Sequence, residues 1–209
     1  MTGWFKATLH GCGEVEFEIE ETKFWLESVL PENPEVVGLV LSVKAKEKAA
    51  PLPCDREISY LHMQTEWLDI PVTALVSKDL AALDGFHYKL DPEAEDIVDW
   101  PAFIYDGGSY GSTIELELRL THLRDGMYKL WMTGKTEFDD TFEIDTELQF
   151  SHTIWRIPDG SRDDRVEAFQ NRLFEAKTFN WQWLGDPDPV DPNLRLHSDF
   201  ILKSGEEAQ

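Results

Sequence analysis

The side chains best suited to chemistry in this chain are carboxylates spaced two residues apart in two segments, with a tryptophan on the segment between them. Paired carboxylates can serve as general acid and base when they face each other across a cleft with separated pKa values. On an open surface they instead attract the basic groups of a partner, and an exposed tryptophan supplies an aromatic anchor. The residues concerned are Glu115, Glu117, Trp131, Glu143, Asp145 and Glu147.

Three predicted strands position these side chains. Apolar and polar residues alternate through much of the segment 113–150, which is the period-two pattern of a strand with one buried and one solvated face. Asp125-Gly126 separates the first two strands and is a strong hairpin signal, because glycine accepts the positive φ of a tight turn. We therefore predict an antiparallel meander that carries the six residues on its solvated face. A late helix or a loop covering this face would instead make Trp131 part of a second core.

The net charge narrows the range of partners. The 209 residues include 41 Asp and Glu against 19 Lys and Arg, for a net charge of −22. Nucleic-acid binding requires clustered Lys and Arg, and anionic lipid attracts basic segments, so we expect neither a nucleic acid nor a membrane as partner. A basic protein is compatible with the charge, because an acidic field steers positive partners toward it. The simpler interpretation is that the charge keeps a globular surface soluble.

The two cysteines and the apolar segments bear on the compartment. Cys12 and Cys54 lie far apart, without the spacing of a zinc site or of a disulfide-rich scaffold. The first residues lack the apolar core of a signal peptide. The longest apolar run, 36–43, is too short to span a bilayer. These features predict a soluble, cytoplasmic protein with reduced thiols.

Other segments extend the prediction of a sheet. Residues 14–20 alternate as a strand with an acidic outer face, and 36–43 resembles a buried strand. The stretch 22–30 fits either a short helix or a continuing strand. A Lys, Ala and Pro-rich connection at 44–53 is expected to be an exposed loop, and 77–83 could form a short helix.

One helix is predicted near the C-terminus. Ser161 with Asp164 resembles a helix start, because the hydroxyl can accept from a free backbone N–H and the acid favours the dipole. The apolar residues that follow occupy one helical face up to about Lys177. The resulting fold class is α+β and mainly antiparallel β, as a sandwich or an open barrel. We expect one globular domain over 1–204 and a disordered tail over 205–209.

Motifs for metal, cofactor or covalent chemistry are weak. The six histidines are scattered without metal-ligand spacing. The acidic loop holding Asp186, Asp188 and Asp191 contains prolines and lacks the Gly and terminal Glu of a calcium-binding EF-hand. The Gly and Ser residues of 108–112 match neither a nucleophile elbow nor a phosphate-binding loop. We therefore predict no metal, no cofactor and no catalytic residues.

Three functions follow, and no motif is specific enough to name a family. The first is a non-enzymatic, acidic partner-binding protein whose six named residues engage a basic protein, in its sharpest form as an inhibitor or immunity-type neutraliser of a toxin or nuclease. The second is a small-molecule-binding barrel or sandwich with a pocket lined by Trp100, Tyr105 and Trp155. The third is a metal-dependent hydrolase that uses acidic residues. The balance of these observations is against an enzyme.

Overall fold

The computed structural model describes residues 3–27, 36–47, 60–65, 68–77, 80–90, 102–105, 110–156, 179–183 and 197–202. These residues form twelve β-strands and one 3-10 helix at Val72–Ala74. The strands are β1 (Gly3–Leu9), β2 (Gly13–Glu27), β3 (Val36–Glu47), β4 (Tyr60–Thr65), β5 (Leu68–Pro71), β6 (His87–Lys89), β7 (Ala102–Tyr105), β8 (Tyr110–Arg124), β9 (Met127–Thr136), β10 (Thr141–Arg156), β11 (Phe179–Trp183) and β12 (His197–Leu202).

The described strands form one mostly antiparallel sheet with the order β1-β2-β3-β4-β7-β8-β9-β10-β12-β11. β5 pairs with β3, β6 pairs with β8, and a short stretch of β2 pairs with β10 in parallel. β1 also pairs with β10, so the first eight strands of the order form a continuous circuit of pairings. The described sheet as a whole is open, because β12 and then β11 continue the order beyond β10 and are not part of this circuit.

The predicted meander is confirmed by β8, β9 and β10. Asp125 and Gly126 have φ values of 42° and 73° at the turn between β8 and β9, as a two-residue hairpin requires. Leu118, Met132 and Ile144 lie opposite one another in register across the three strands, and all three are buried. The alternation of the sequence therefore sets which side chains reach solvent.

The chain divides into two compact units, each with its own apolar contacts. The first comprises Met1–Lys23, Leu41–Glu66 and Asp84–Gln149. In its core the ring of Phe5 packs against Phe17 and Phe142, with centroids 6.1 Å and 6.4 Å apart.

The second unit comprises Phe24–Val40, Trp67–Leu83 and Phe150–Gln209. Phe24 and Phe150 meet edge to face at 5.2 Å within it, and this geometry is favourable for aromatic pairs.

Several local predictions need correction. Residues 22–27 continue β2, which decides the ambiguity of that segment in favour of a strand. The loop predicted from residue 44 is wrong up to Glu47, because β3 runs that far and buries Ala45. The short helix is wrong for residues 80–83, which form turns. The predicted helix at 161–177 and the tail at 205–209 lie outside the described residues.

The expectation of reduced thiols is wrong for Cys12, which is disulfide-bonded. Cys12 lies in the turn between β1 and β2, where its N–H donates to the carbonyl of Leu9 at 2.9 Å. Disulfides persist in oxidising compartments and are rare in the cytosol. The cytoplasmic location therefore gains no support from this residue and stays a prediction. Within the described residues no helix is long and apolar enough to cross a membrane.

Candidate functional site

The six residues predicted for partner binding lie together on three adjacent strands of the first unit. Glu115 and Glu117 are on β8, Trp131 is on β9, and the other three acids are on β10. Each alternates with a buried neighbour, so all six belong to the solvated side of the sheet. We call the solvated side of β8, β9, β10 and β1 the solvent face.

The register arranges the solvent face in cross-strand rows. Arg119 lies opposite Trp131, which lies opposite Asp145, which in turn lies opposite Trp4 on β1. Directly opposed side chains in antiparallel pairs have Cβ atoms roughly 5 Å apart. The carboxylate of Asp145 is thus placed between two tryptophans of neighbouring strands.

Trp131 is half-buried and is contacted by polar groups of the solvent face. The guanidinium carbon of Arg119 lies 5.2 Å from the centroid of its ring, within the range of a cation–π contact. Its indole Nε1 donates to Glu143 Oε1 at 3.4 Å. The ring therefore keeps part of its surface exposed, and the late helix that would make it part of a second core lies outside the described residues.

Trp4 is a further site residue that the sequence prediction missed. It is half-buried, and the Lys6 ammonium lies 4.8 Å from its ring centroid. The alternation of Trp4, Lys6 and Thr8 with the buried Phe5 and Ala7 was the signal that could have placed it on a solvated face. Its place beside Asp145 depends on the pairing of β1 with β10, which no local pattern indicates.

Basic groups on the same face already bind two of the five predicted acids. Lys129 forms an ion pair with Asp145. Glu117 accepts from Arg119 Nη2 at 2.7 Å and is 2.9 Å from His87 Nε2. These hydrogen bonds, with that of Arg119 the largest contribution, hold the pKa of the Glu117 carboxyl below its ordinary value.

The other three acids have no such basic partner in the described part of the chain. Glu115 lies opposite Lys135 in register, but Lys135 forms its ion pair with Asp139 at 2.7 Å. Among the described residues, Glu143 and Glu147 form no ion pair within 4.0 Å. The part of the solvent face next to Trp131 therefore presents carboxylates that form no ion pair with any residue the structure describes.

A serine–histidine pair on the first unit resembles nucleophile and base but is poorly placed for catalysis. Ser42 Oγ and His62 Nε2 are 2.9 Å apart across β3 and β4. Burial lowers the pKa of His62, and the ammonium groups of Lys44 and Lys23 add to the effect. Ser42 is only 2% exposed, so its hydroxyl is not open to a substrate. The pair fits a buried hydrogen bond rather than a reaction centre.

The arrangement of the described residues does not support either of the two alternative functions. Those residues contain no group of three or more His, Cys, Asp and Glu side chains able to hold a metal. The side chains of Trp100, Tyr105 and Trp155, expected to line a small-molecule pocket, lie outside the description.

Comparison of the chain with protein-family models finds no match, and comparisons with curated proteins and with solved structures also find none. Function has to be argued from the site itself.

Proposed function

We propose that this chain is a non-enzymatic binding protein whose solvent face engages a basic protein. The observation that carries the proposal is the position of Trp131, half-exposed at the centre of three strands on which Glu143 and Glu147 form no ion pair with any described residue. Partly exposed tryptophans among polar residues are typical of residues that dominate interface energies.

The acidic charge of the chain favours a basic protein as the partner. The whole chain carries a net charge of −22, which raises the rate of encounter with a positive surface. Glu143 and Glu147 lie on the same strand as Asp145 and two residues to either side of it, so they can accept basic groups around a common centre. A neutraliser of a basic toxin or nuclease is the sharpest form of this function, because covering a positive surface is the most direct way to block it.

The test is a calorimetric titration of the full chain with an arginine–glycine repeat peptide as a probe of basic surfaces. The variant is Glu143→Gln combined with Glu147→Gln, and the matched control is Glu18→Gln combined with Glu20→Gln on β2. Both lose equal charge, and the ion pairs of Lys46 with the two control acids are exposed and contribute little stability.

We expect the Glu143 and Glu147 variant to bind the peptide about fivefold more weakly than the control variant does at low salt. Local charge pairs across an interface give effects of this size. Raising the salt to about 0.3 M should reduce this difference, because exposed charges are then screened within a few ångströms. Equal weakening in both variants would show that binding follows net charge alone and would overturn the proposal.

A further inference from the structure

Two tryptophans flank one carboxylate on the solvent face, and each tryptophan already carries a cation of the chain itself. Arg119 lies over Trp131, and Lys6 lies over Trp4, at 5.2 Å and 4.8 Å from the ring centroids. Asp145, between the two rings in register, is bound to Lys129. Both rings and the carboxylate between them are therefore already in contact with a positive group of the chain.

We propose that Trp4, Asp145 and Trp131 form a cleft for an arginine side chain of the partner. This inference rests on the proposed function and names its central contact. A guanidinium suits the cleft because it is planar, stacks on aromatic rings and binds a carboxylate through two parallel hydrogen bonds. An ammonium is a compact and strongly hydrated charge that gains less from the two rings.

The spacing of the strands is compatible with one inserted side chain. Trp4 and Trp131 lie on β1 and β9, with β10 between them, so their backbones are about 10 Å apart. Both side chains rise from the same face on either side of Asp145, so a guanidinium bound to that carboxylate would lie next to both rings. Glu143 lies two residues from Asp145 on the same face and adds a second carboxylate at the rim.

Lys129 competes with the incoming guanidinium for Asp145. Its removal should therefore strengthen binding of an arginine probe, which a residue with only a structural role would not do. Lys135 supplies a matched control, because it lies on the same strand and the same face but pairs with Asp139. Lys129→Met and Lys135→Met change the net charge equally, so a difference between them measures the release of Asp145.

The experiment is a titration of the wild type and both variants with the arginine–glycine peptide and with a lysine–glycine peptide of equal length. We expect Lys129→Met to bind the arginine peptide at least about threefold more tightly than Lys135→Met does. The gain should disappear when Asp145→Asn is added, as a coupled pair requires. The lysine peptide should show a smaller gain.

The outcomes separate this inference from the proposed function. Suppose that binding of the arginine peptide depends on Glu143 and Glu147, but that Lys129→Met and Lys135→Met bind this peptide equally. The proposed binding face is then supported and the proposed cleft is wrong. Equal binding of the two peptides would overturn the choice of a guanidinium. If no variant alters binding, both proposals fall.

Discussion

Trp4 and Trp131 lie on either side of Asp145 in one cross-strand row, although 126 residues separate them in sequence. Each ring is covered in part by a cation of its own strand or of the neighbouring strand. The arrangement joins the first strand of the chain to the central meander and gives the solvent face two aromatic side chains where the sequence alone suggested one.

The pKa of Glu117 provides a test of the charge network on β8. Arg119 and His87 hold it below its ordinary value, and replacing Arg119 by Met should raise it toward 4.5. NMR titration of the Glu117 carboxyl carbon measures this directly. The matched control is Arg124→Met at the exposed end of the same strand, which should leave the Glu117 pKa in place. An unchanged value in Arg119→Met would contradict the assigned cause.

His62 should make the protein less stable in mild acid. Its pKa is lowered in the folded chain from 6.5 by burial, so the unfolded chain takes up the proton more readily. The stability contributed by neutral His62 is present above that value and is lost as the pH falls through the folded pKa. The His62→Gln variant should therefore show a flatter fall of urea midpoint below neutral pH than the wild type. A His62→Gln variant that keeps the wild-type slope would contradict the prediction.

Gly134 on β9 should not accept a side chain. A Cβ there would lie 2.6 Å from Phe142 Cε1 and 2.7 Å from the carbonyl oxygen of Glu115. Backbone cannot yield easily in a paired strand, so Gly134→Ala should lower the free energy of unfolding by about 1–3 kcal/mol. Urea denaturation measures this change in the free energy of unfolding.

Gly111 on β8 provides the control for that substitution. Its added Cβ would meet Phe138 and Thr136 at 3.4 Å and 3.5 Å, which is ordinary contact. Gly111→Ala should stay within about 0.5 kcal/mol of the wild type, since the loss of unfolded-state entropy even favours alanine. Equal destabilisation by both substitutions would show that the close approach at Gly134 is not the cause.

The disulfide of Cys12 should make stability depend on reductant. Native disulfides contribute about 2–4 kcal/mol, so dithiothreitol should lower the melting temperature of the wild type. The Cys12→Ser variant should melt at the lower temperature and should not respond to reductant. Reactive thiols in the denatured, unreduced wild type would contradict the prediction.

The sequence predicted the meander and its solvated side well because both depend on local alternation. Glu115, Trp131 and Glu143 occupy the expected face since period two determines the direction of every side chain in a paired strand. The hairpin at Asp125-Gly126 was equally local, because its glycine alone meets the backbone requirement.

Contacts between distant strands could not be predicted in this way. Trp4 reaches Asp145 only because β1 pairs with β10, and Ser42 reaches His62 through the pairing of β3 with β4. Composition predicts a loop for residues 44–47, whereas pairing with β4 extends the strand. Cys12 shows the same limit, because cysteine spacing does not encode which thiols meet in space.

The most direct test of the binding face is an NMR titration of the isotopically labelled chain with the arginine–glycine peptide. The account predicts that the largest shifts of backbone amide and indole signals occur at Trp4, Trp131, Glu143 and Asp145, with small changes at Glu18 and Glu20 on β2. Shifts spread evenly over the acidic residues of the sheet, or confined to strands other than β8, β9, β10 and β1, would contradict the claim that this face is the binding surface.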